Sequence, residues 1–328
     1  MKRYQNLAIL LCILLLAACG STNNTTTPTA TPLDDVTAMQ QEVQQTLAPH
    51  IDAAKAALQQ NPRDDLSKQT TSYETSSSYD TLTETEKAVY DDLLKKMRNF
   101  EYFKYTPHDD GFEMMDLVMN VYGSIVDDHP EIACYVMIGE LFDDKGNPTG
   151  VDSMYFHPKL GSGEEAEIEQ IKAEMERLTY AAEWIVQNMP QDASTYDKYR
   201  YLAYVISGIT EYNHQHNLGD MTSNPYGAIL GGGSICQGYA TGMQYLCQLA
   251  NLWCRVAEGE SQGVAHGWNL VMLDDGSYHI DITWSDDGIN EIGSPGWMRY
   301  YMLTQQMIEQ DHIVYEGYES TGKTNYLP

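Results

Sequence analysis

Cys236, His266 and Asp281 are the residues whose types and spacing could do covalent chemistry. A cysteine attacks as its thiolate, needs an imidazole to take its proton, and gains from an acid or amide that orients the ring. Cys236 ends the run Gly231-Gly232-Gly233-Ser234-Ile235-Cys236 and opens a helical pattern. Glycines let a backbone turn sharply and approach closely. A cysteine in the first helical turn feels the positive end of the dipole and N–H groups without intrahelical acceptors. Both favour thiolate, and the same N–H groups could hold an oxyanion. The glycines do not spell a phosphate cradle, because no Lys followed by Ser or Thr comes after them.

Alone, a cysteine is more often a piece of core. Its companions change that. His266 opens "HGWNLV", 30 residues on (266 − 236), and Asp281 lies in "IDITW", 15 further (281 − 266). Both fall in runs of period two. The expected strands, His266 to Leu273 and Ser277 to Trp284, flank the turn Asp274-Asp275-Gly276, so one hairpin carries the histidine on its first strand and the aspartate on its second. Direct opposition would centre the hairpin between Leu273 and Asp274. The turn residues displace that centre, which predicts a diagonal contact or a bulge.

Other assignments are weaker. His279 shares the strand parity of Asp281 but has no comparable motif, and His214-Gln215-His216 is a pair in a polar stretch. Cys247 and Cys254 lack the short spacing of zinc-binding thiols. Cys247 falls on the same helix as Cys236 at about 16 Å, beyond the ~7 Å Cα reach of a disulfide; Cys134 and Cys254 stay open as partners. Tyr226, Trp268 and Trp284 are expected to pack around the three central residues. Neither a cofactor nor a metal is implied.

These residues need elements to position them, and the chain divides accordingly. Lys2 and Arg3 precede an apolar run from Leu7 to Leu16, which is short for a membrane span of about 20 residues and reads as a secretory leader over 1–18. A Thr-rich linker with prolines follows over 19–32, then an N-terminal helix over 33–62 with Val36, Val43, Leu47, Ile51 and Ala54 at helical intervals. Residues 63–80 have almost no apolar content and read as flexible. An accessory α+β region over 81–160 opens on a capping box, Thr83 to Glu86, continues with a helix over Phe112 to Val126, and holds strands at Ile132 to Ile138 and Val151 to Phe156. From 161 to 328, helices at Glu164 to Gln187, Tyr196 to Ile209 and Cys236 to Ala250 precede the hairpin and a third strand at Met298 to Leu303. That is an α+β pattern.

The chain has 47 acidic against 19 basic residues and a formal charge of −28. It cannot neutralise a row of phosphates, so nucleic acid is excluded as a partner. The acid reads as a solvated surface. Beyond the leader and Cys19, the cysteines are Cys134, Cys236, Cys247 and Cys254, too few for a disulfide scaffold, so apolar packing must hold the core.

Two resemblances add to this. Leu16-Ala17-Ala18-Cys19 resembles the lipobox of bacterial lipoproteins, which implies lipidation at Cys19 and an extracytoplasmic protein anchored to the cell membrane. The order Cys, His, Asp resembles the bacterial transglutaminase-like superfamily, a papain-like cysteine fold. It rests on Ile-Cys-Gln-Gly-Tyr-Ala at 235–240, His-x-Trp-Asn at 266–269 and Asp-x-Thr-Trp at 281–284, with flanking "DHPEI" at 128–132 and "YYML" at 300–303. The resemblance covers roughly Asp128 to His312. It implies Cys236 as nucleophile, His266 as general base and then acid, and Asp281 as orienter of the ring. The implied activity is that of a cysteine protease or amidase working through an acyl-thioenzyme on a protein or peptide substrate. An amine in place of water would make it a cross-linking transamidase, and a surface binding or scaffold module is the rival of a different class.

Overall fold

The first described element, α1 (Pro32–Gln60), is a helix because Val43, Leu47, Ile51 and Ala54 recur every three or four residues, and all four are buried. The structure, a computed structural model, describes residues 32–60, 62, 77–105, 113–146, 148–157, 161–162, 165–214, 222–231 and 233–327. The expected leader, Cys19, nearly all of the Thr-rich linker and most of 63–80 lie outside those residues. Among the described residues no helix is long and apolar enough to cross a membrane.

α2 (Glu84–Asn99) starts at the capping box: the Glu86 N–H donates to Thr83 Oγ1 at 3.3 Å and the Thr83 N–H donates to Glu86 Oε2 at 2.8 Å. α3 (Glu113–Asp128) ends at Asp128, whose carboxylate accepts from Ser77 Oγ, the Ser78 and Tyr79 N–H groups and the Tyr90 hydroxyl. Strands β1 (Lys104–Tyr105), β2 (Val136–Phe142), β3 (Pro148–His157) and β4 (Gly161–Ser162) form an antiparallel sheet in which β3 is flanked by β1 and β2 and also pairs β4. The strand expected from Ile132 begins later, because Ile132–Cys134 closes a 3₁₀ turn. α4 (Glu165–Gln187), α5 (Thr195–Ile209), α6 (Pro225–Leu230) and α7 (Cys236–Leu249) follow.

The second sheet comprises β5 (Cys254–Ser261), β6 (Val264–Leu273), β7 (Gly276–Ile280) and β8 (His312–Val314), all antiparallel in the order β7-β6-β5-β8. Two further short helices are α8 (Ile282–Ser285) and α9 (Gln305–Ile308). α7 packs across β5 and β6, and α4, α5 and α6 pack on α7, while α1 lies on α4 and α5. A continuous buried cluster runs from Val43 on α1 to Tyr326 near the C-terminus. The fold is mixed α+β with two antiparallel sheets.

Two further expected strands differ. The run Ser277 to Trp284 is strand only to Ile280; Asp281 then turns its side chain onto the Trp284 N–H at 3.1 Å and caps α8. An N-capping aspartate wins over alternation here because it satisfies a donor the new helix leaves open. Met298 to Leu303 is a 3₁₀ turn (Trp297–Tyr300) followed by a single bridge of Leu303 to His279, with Met302 in the left-handed region at φ 55°.

Candidate active site

Three local devices set the start of α7. Tyr212 bridges Ser234 in parallel, with the Asn213 N–H on the Ser234 carbonyl at 2.8 Å and the Ser234 N–H on the Glu211 carbonyl at 3.0 Å. The Ile235 N–H donates to the Thr222 carbonyl at 2.9 Å, drawing that segment over the helix start. Gly238 makes the approach possible: a Cβ there would sit 2.2 Å from the same Thr222 oxygen. The N-cap Ile235 offers no side-chain acceptor, so the first-turn N–H groups of Cys236 and Gln237 have neither an intrahelical nor a capping partner.

The hairpin supplies the rest. Its register pairs Leu273 with Gly276 across a two-residue turn and Asn269 with Ile280, which sets Asp281 level with Trp268 and diagonal to His266. The diagonal contact is made: His266 Nε2 donates to Asp281 Oδ2 at 2.8 Å. That leaves Nδ1 of the ring for Cys236, whose thiol lies close enough to His266 and the Gly267 N–H for both to act on its charge. Asn269, two residues beyond Gly267, donates from Nδ2 to the Ala240 carbonyl at 2.9 Å and so ties β6 to the first turns of α7. Trp268 stacks on His266 with centroids 5.7 Å apart, and Trp284 meets the same ring edge-on at 6.4 Å.

Charge is balanced inside this cluster. Burial pushes the Cys236 thiol up, but the hydrogen bond and charge of His266 together with the Gly267 N–H outweigh it, so the thiol lies below its usual 9. Burial would lower His266, yet the charge and hydrogen bond of Asp281 raise it to about 10. Asp281 is wholly buried; burial would raise it, but the His266 charge and hydrogen bonds from His266 and His312 lower it to about 2. Between those limits the arrangement favours a thiolate–imidazolium pair beside a carboxylate.

Sequence reasoning missed His312. Its Nε2 lies 3.1 Å from the same Asp281 Oδ2, and its Nδ1 lies 2.6 Å from Asp311 Oδ1. His266, Asp281 and His312 have the residue types of a metal site, with ligand atoms within 4.8 Å of one another. Both facing ring nitrogens already meet an acceptor in Asp281 Oδ2, which accounts for their convergence without an ion.

The remaining residues singled out from sequence fall elsewhere. Tyr226 on α6 turns its hydroxyl to Glu174 Oε2 at 3.0 Å, on the α4 side. His279 is buried and neutral: it accepts from Trp268 Nε1 at 2.9 Å and faces Gln305 Oε1 at 3.1 Å, and burial lowers it to about 4. His214 is exposed, and His216 lies outside the described residues. Cys134, Cys247 and Cys254 are buried free thiols; Cys247 and Cys254 neighbour each other rather than Cys236. Compared with known proteins, the chain matches no family model and no curated protein.

Proposed function

We propose that this chain is a membrane-anchored, extracytoplasmic cysteine hydrolase of transglutaminase-like type, with a papain-like arrangement of helix and sheet, acting on peptide or side-chain amides. The observation that carries the reading is the continuous contact from the Cys236 sulfur through the His266 ring to the buried Asp281 carboxylate, at the open start of a helix. In that reading the Cys236 thiolate attacks the amide carbonyl carbon, and the C=O electrons move to oxygen. The Cys236 and Gln237 N–H groups, which have no capping partner, are the donors this reading assigns to that oxyanion. His266 passes its Nδ1 proton to the leaving amine as the C–N bond breaks, leaving a thioester on Cys236. Water then gives His266 a proton, attacks the thioester, and releases the acid and the thiolate.

Asp281 takes no proton in either half. It fixes the tautomer and the tilt of His266 and favours the charged ring. Anchoring rests on the lipobox-like segment ending at Cys19.

Incubating the soluble chain with glutamine-containing peptides, with and without a primary amine, tests the reading. Mass spectrometry should find an acyl adduct on Cys236, and deamidated or cleaved product without the amine. Amine-linked product in preference to the acid would make the chain a transamidase. No adduct with any peptide, together with undiminished peptide binding by a Cys236→Ala variant, would favour a binding module.

A further inference from the structure

We infer that His312 is a positioning residue of this site, holding Asp281 from the side opposite His266 and thereby fixing the ring that faces Cys236. The inference rests on the nucleophile reading above. Asp281 Oδ2 lies 2.8 Å from His266 Nε2 and 3.1 Å from His312 Nε2, while its Oδ1 accepts from the Trp284 N–H at 3.1 Å. A buried carboxylate with one donor can swing about its Cα–Cβ bond; with three donors from three elements it cannot without leaving a polar atom unmet.

His312 is itself held on all sides. Nδ1 faces Asp311 Oδ1 at 2.6 Å, and Asp311 Oδ2 accepts from the Tyr300 hydroxyl at 2.7 Å. The ring's faces and edges meet Trp268 and Trp284, each at 5.2 Å, with Tyr300 at 5.9 Å and His266 at 5.5 Å. The charged or titratable groups around it are therefore Asp281, Asp311 and His266, with His279 behind Trp268. The side chain is fully buried.

The backbone is shaped to bring β8 in. β8 pairs β5 through Gly259 with Val314, Glu260 with Ile313 and Ser261 with His312. A Cβ at Gly259 would lie 1.9 Å from the Ile313 carbonyl oxygen and 2.6 Å from Trp268 Cη2. Without that glycine, neither the strand nor the indole beneath His312 could keep its place. The nucleophile's orientation is thus set partly by a three-residue edge strand, through His312, Asp281 and His266 in turn.

The test reads the thiolate, so it needs no substrate. Iodoacetamide alkylation of Cys236 is followed against pH in the wild type and in His312→Leu, His312→Gln and His266→Ala variants, with circular dichroism as the check on folding. His312→Leu should slow alkylation at neutral pH about tenfold or more and move the titration up toward an ordinary thiol. His312→Gln, which keeps an N–H donor for Asp281, should restore most of the rate. If His312→Leu fails to fold, Asp311→Ala, which frees the far side of the ring, should give a smaller shift in the same direction. An unchanged titration in a folded His312→Leu variant, or in Asp311→Ala where that stands in, overturns the inference provided His266→Ala shifts it. An unchanged titration in His266→Ala instead overturns the nucleophile reading, and this inference with it.

Discussion

Each end of α7 carries a cysteine, and the two sites push their thiols in opposite directions. At the N-terminus Cys236 is half-buried, and against the effect of burial the neighbouring His266 and the Gly267 N–H lower its thiol from the usual 9. In the last turn Cys247 is fully buried, and burial, then the neighbouring thiol of Cys254, push it far up. Residue type and helix are shared. What differs is which end of the dipole the sulfur meets and whether donors reach it. A cysteine's chemistry here is a property of the partners delivered by the hairpin.

The contrast can be broken most severely at the partners. Cys236→Ala and His266→Ala should each reduce kcat/KM on any amide substrate by about 10⁴-fold or more, and the double variant should be no worse than either single. Cys247→Ala should leave turnover unchanged. A folded His266→Ala variant with near wild-type kcat/KM would remove the basis for setting the two thiols apart.

A milder test moves the pH window. The thiolate–imidazolium pair is populated from the lowered thiol pKa up to that of His266, about 10. Asp281→Asn removes the carboxylate that raises the ring, so the alkaline limb should fall toward the usual 6.5, with activity down by about 10²–10⁴-fold. Thiolate absorbance near 240 nm and the kcat/KM profile both read this. An alkaline limb that stays near 10 would show that Asp281 is not what raises His266. The same shifts bear on stability with opposite signs. The raised His266 contributes fully below 6.5 and loses its contribution as pH rises through about 10, whereas the lowered Asp281 contributes fully above 3.8 and loses its contribution as pH falls through about 2.

Gly238→Ala sharpens the comparison through the backbone. Its new Cβ would meet the Thr222 oxygen at 2.2 Å, so the segment over the helix start must move, at a cost of about 1–3 kcal/mol in chemical denaturation. Cys236 alkylation should change in that variant while Cys247 stays unreactive. The smallest effect is the stability cost of Cys247→Ala, about 1–2 kcal/mol from lost packing. A larger loss than for Gly238→Ala would mean that the thiol pair at the far end of α7 matters more to the fold than the glycine contact at its start.

Much of this fold is legible in the sequence. The stripe of α1, the capping box at Thr83 and the 3.6-residue period of α5 and α7 gave helices near their observed bounds, because each has a buried apolar face. Cys236, His266 and Asp281 stand out by their order and spacing, a helix start followed by one hairpin that carries the histidine and the aspartate. β5 is not legible in the sequence: its Arg255, Glu258 and Glu260 interrupt the apolar pattern, although burial alternates from Ala257 to Ser261. His312 was hidden by length, since a strand of three residues has no period; the one trace is an Asp-His pair just before Ile-Val. Tyr226 is expected to pack around the three central residues, but α6 faces its hydroxyl to Glu174 on α4.

The position of α1 sets an order of events for the growing chain. Its apolar stripe is made early, yet its partners belong to α4 and α5: Glu42 pairs with Arg177 at 2.7 Å, Gln44 bonds the Tyr180 hydroxyl, and Lys55 reaches Asn188 at 3.4 Å. More than a hundred residues must follow before those partners exist, and the entropy of closing so long a loop comes due before any of the contacts form. Until then Val43, Leu47 and Ile51 face solvent or whatever else is at hand, the kind of surface that chaperones bind and that aggregates when left uncovered. The helix that opens on Cys236, resting on the same α4 and α5, is synthesised later still, so the cluster of Cys236, His266 and Asp281 takes shape only once the partners of α1 exist.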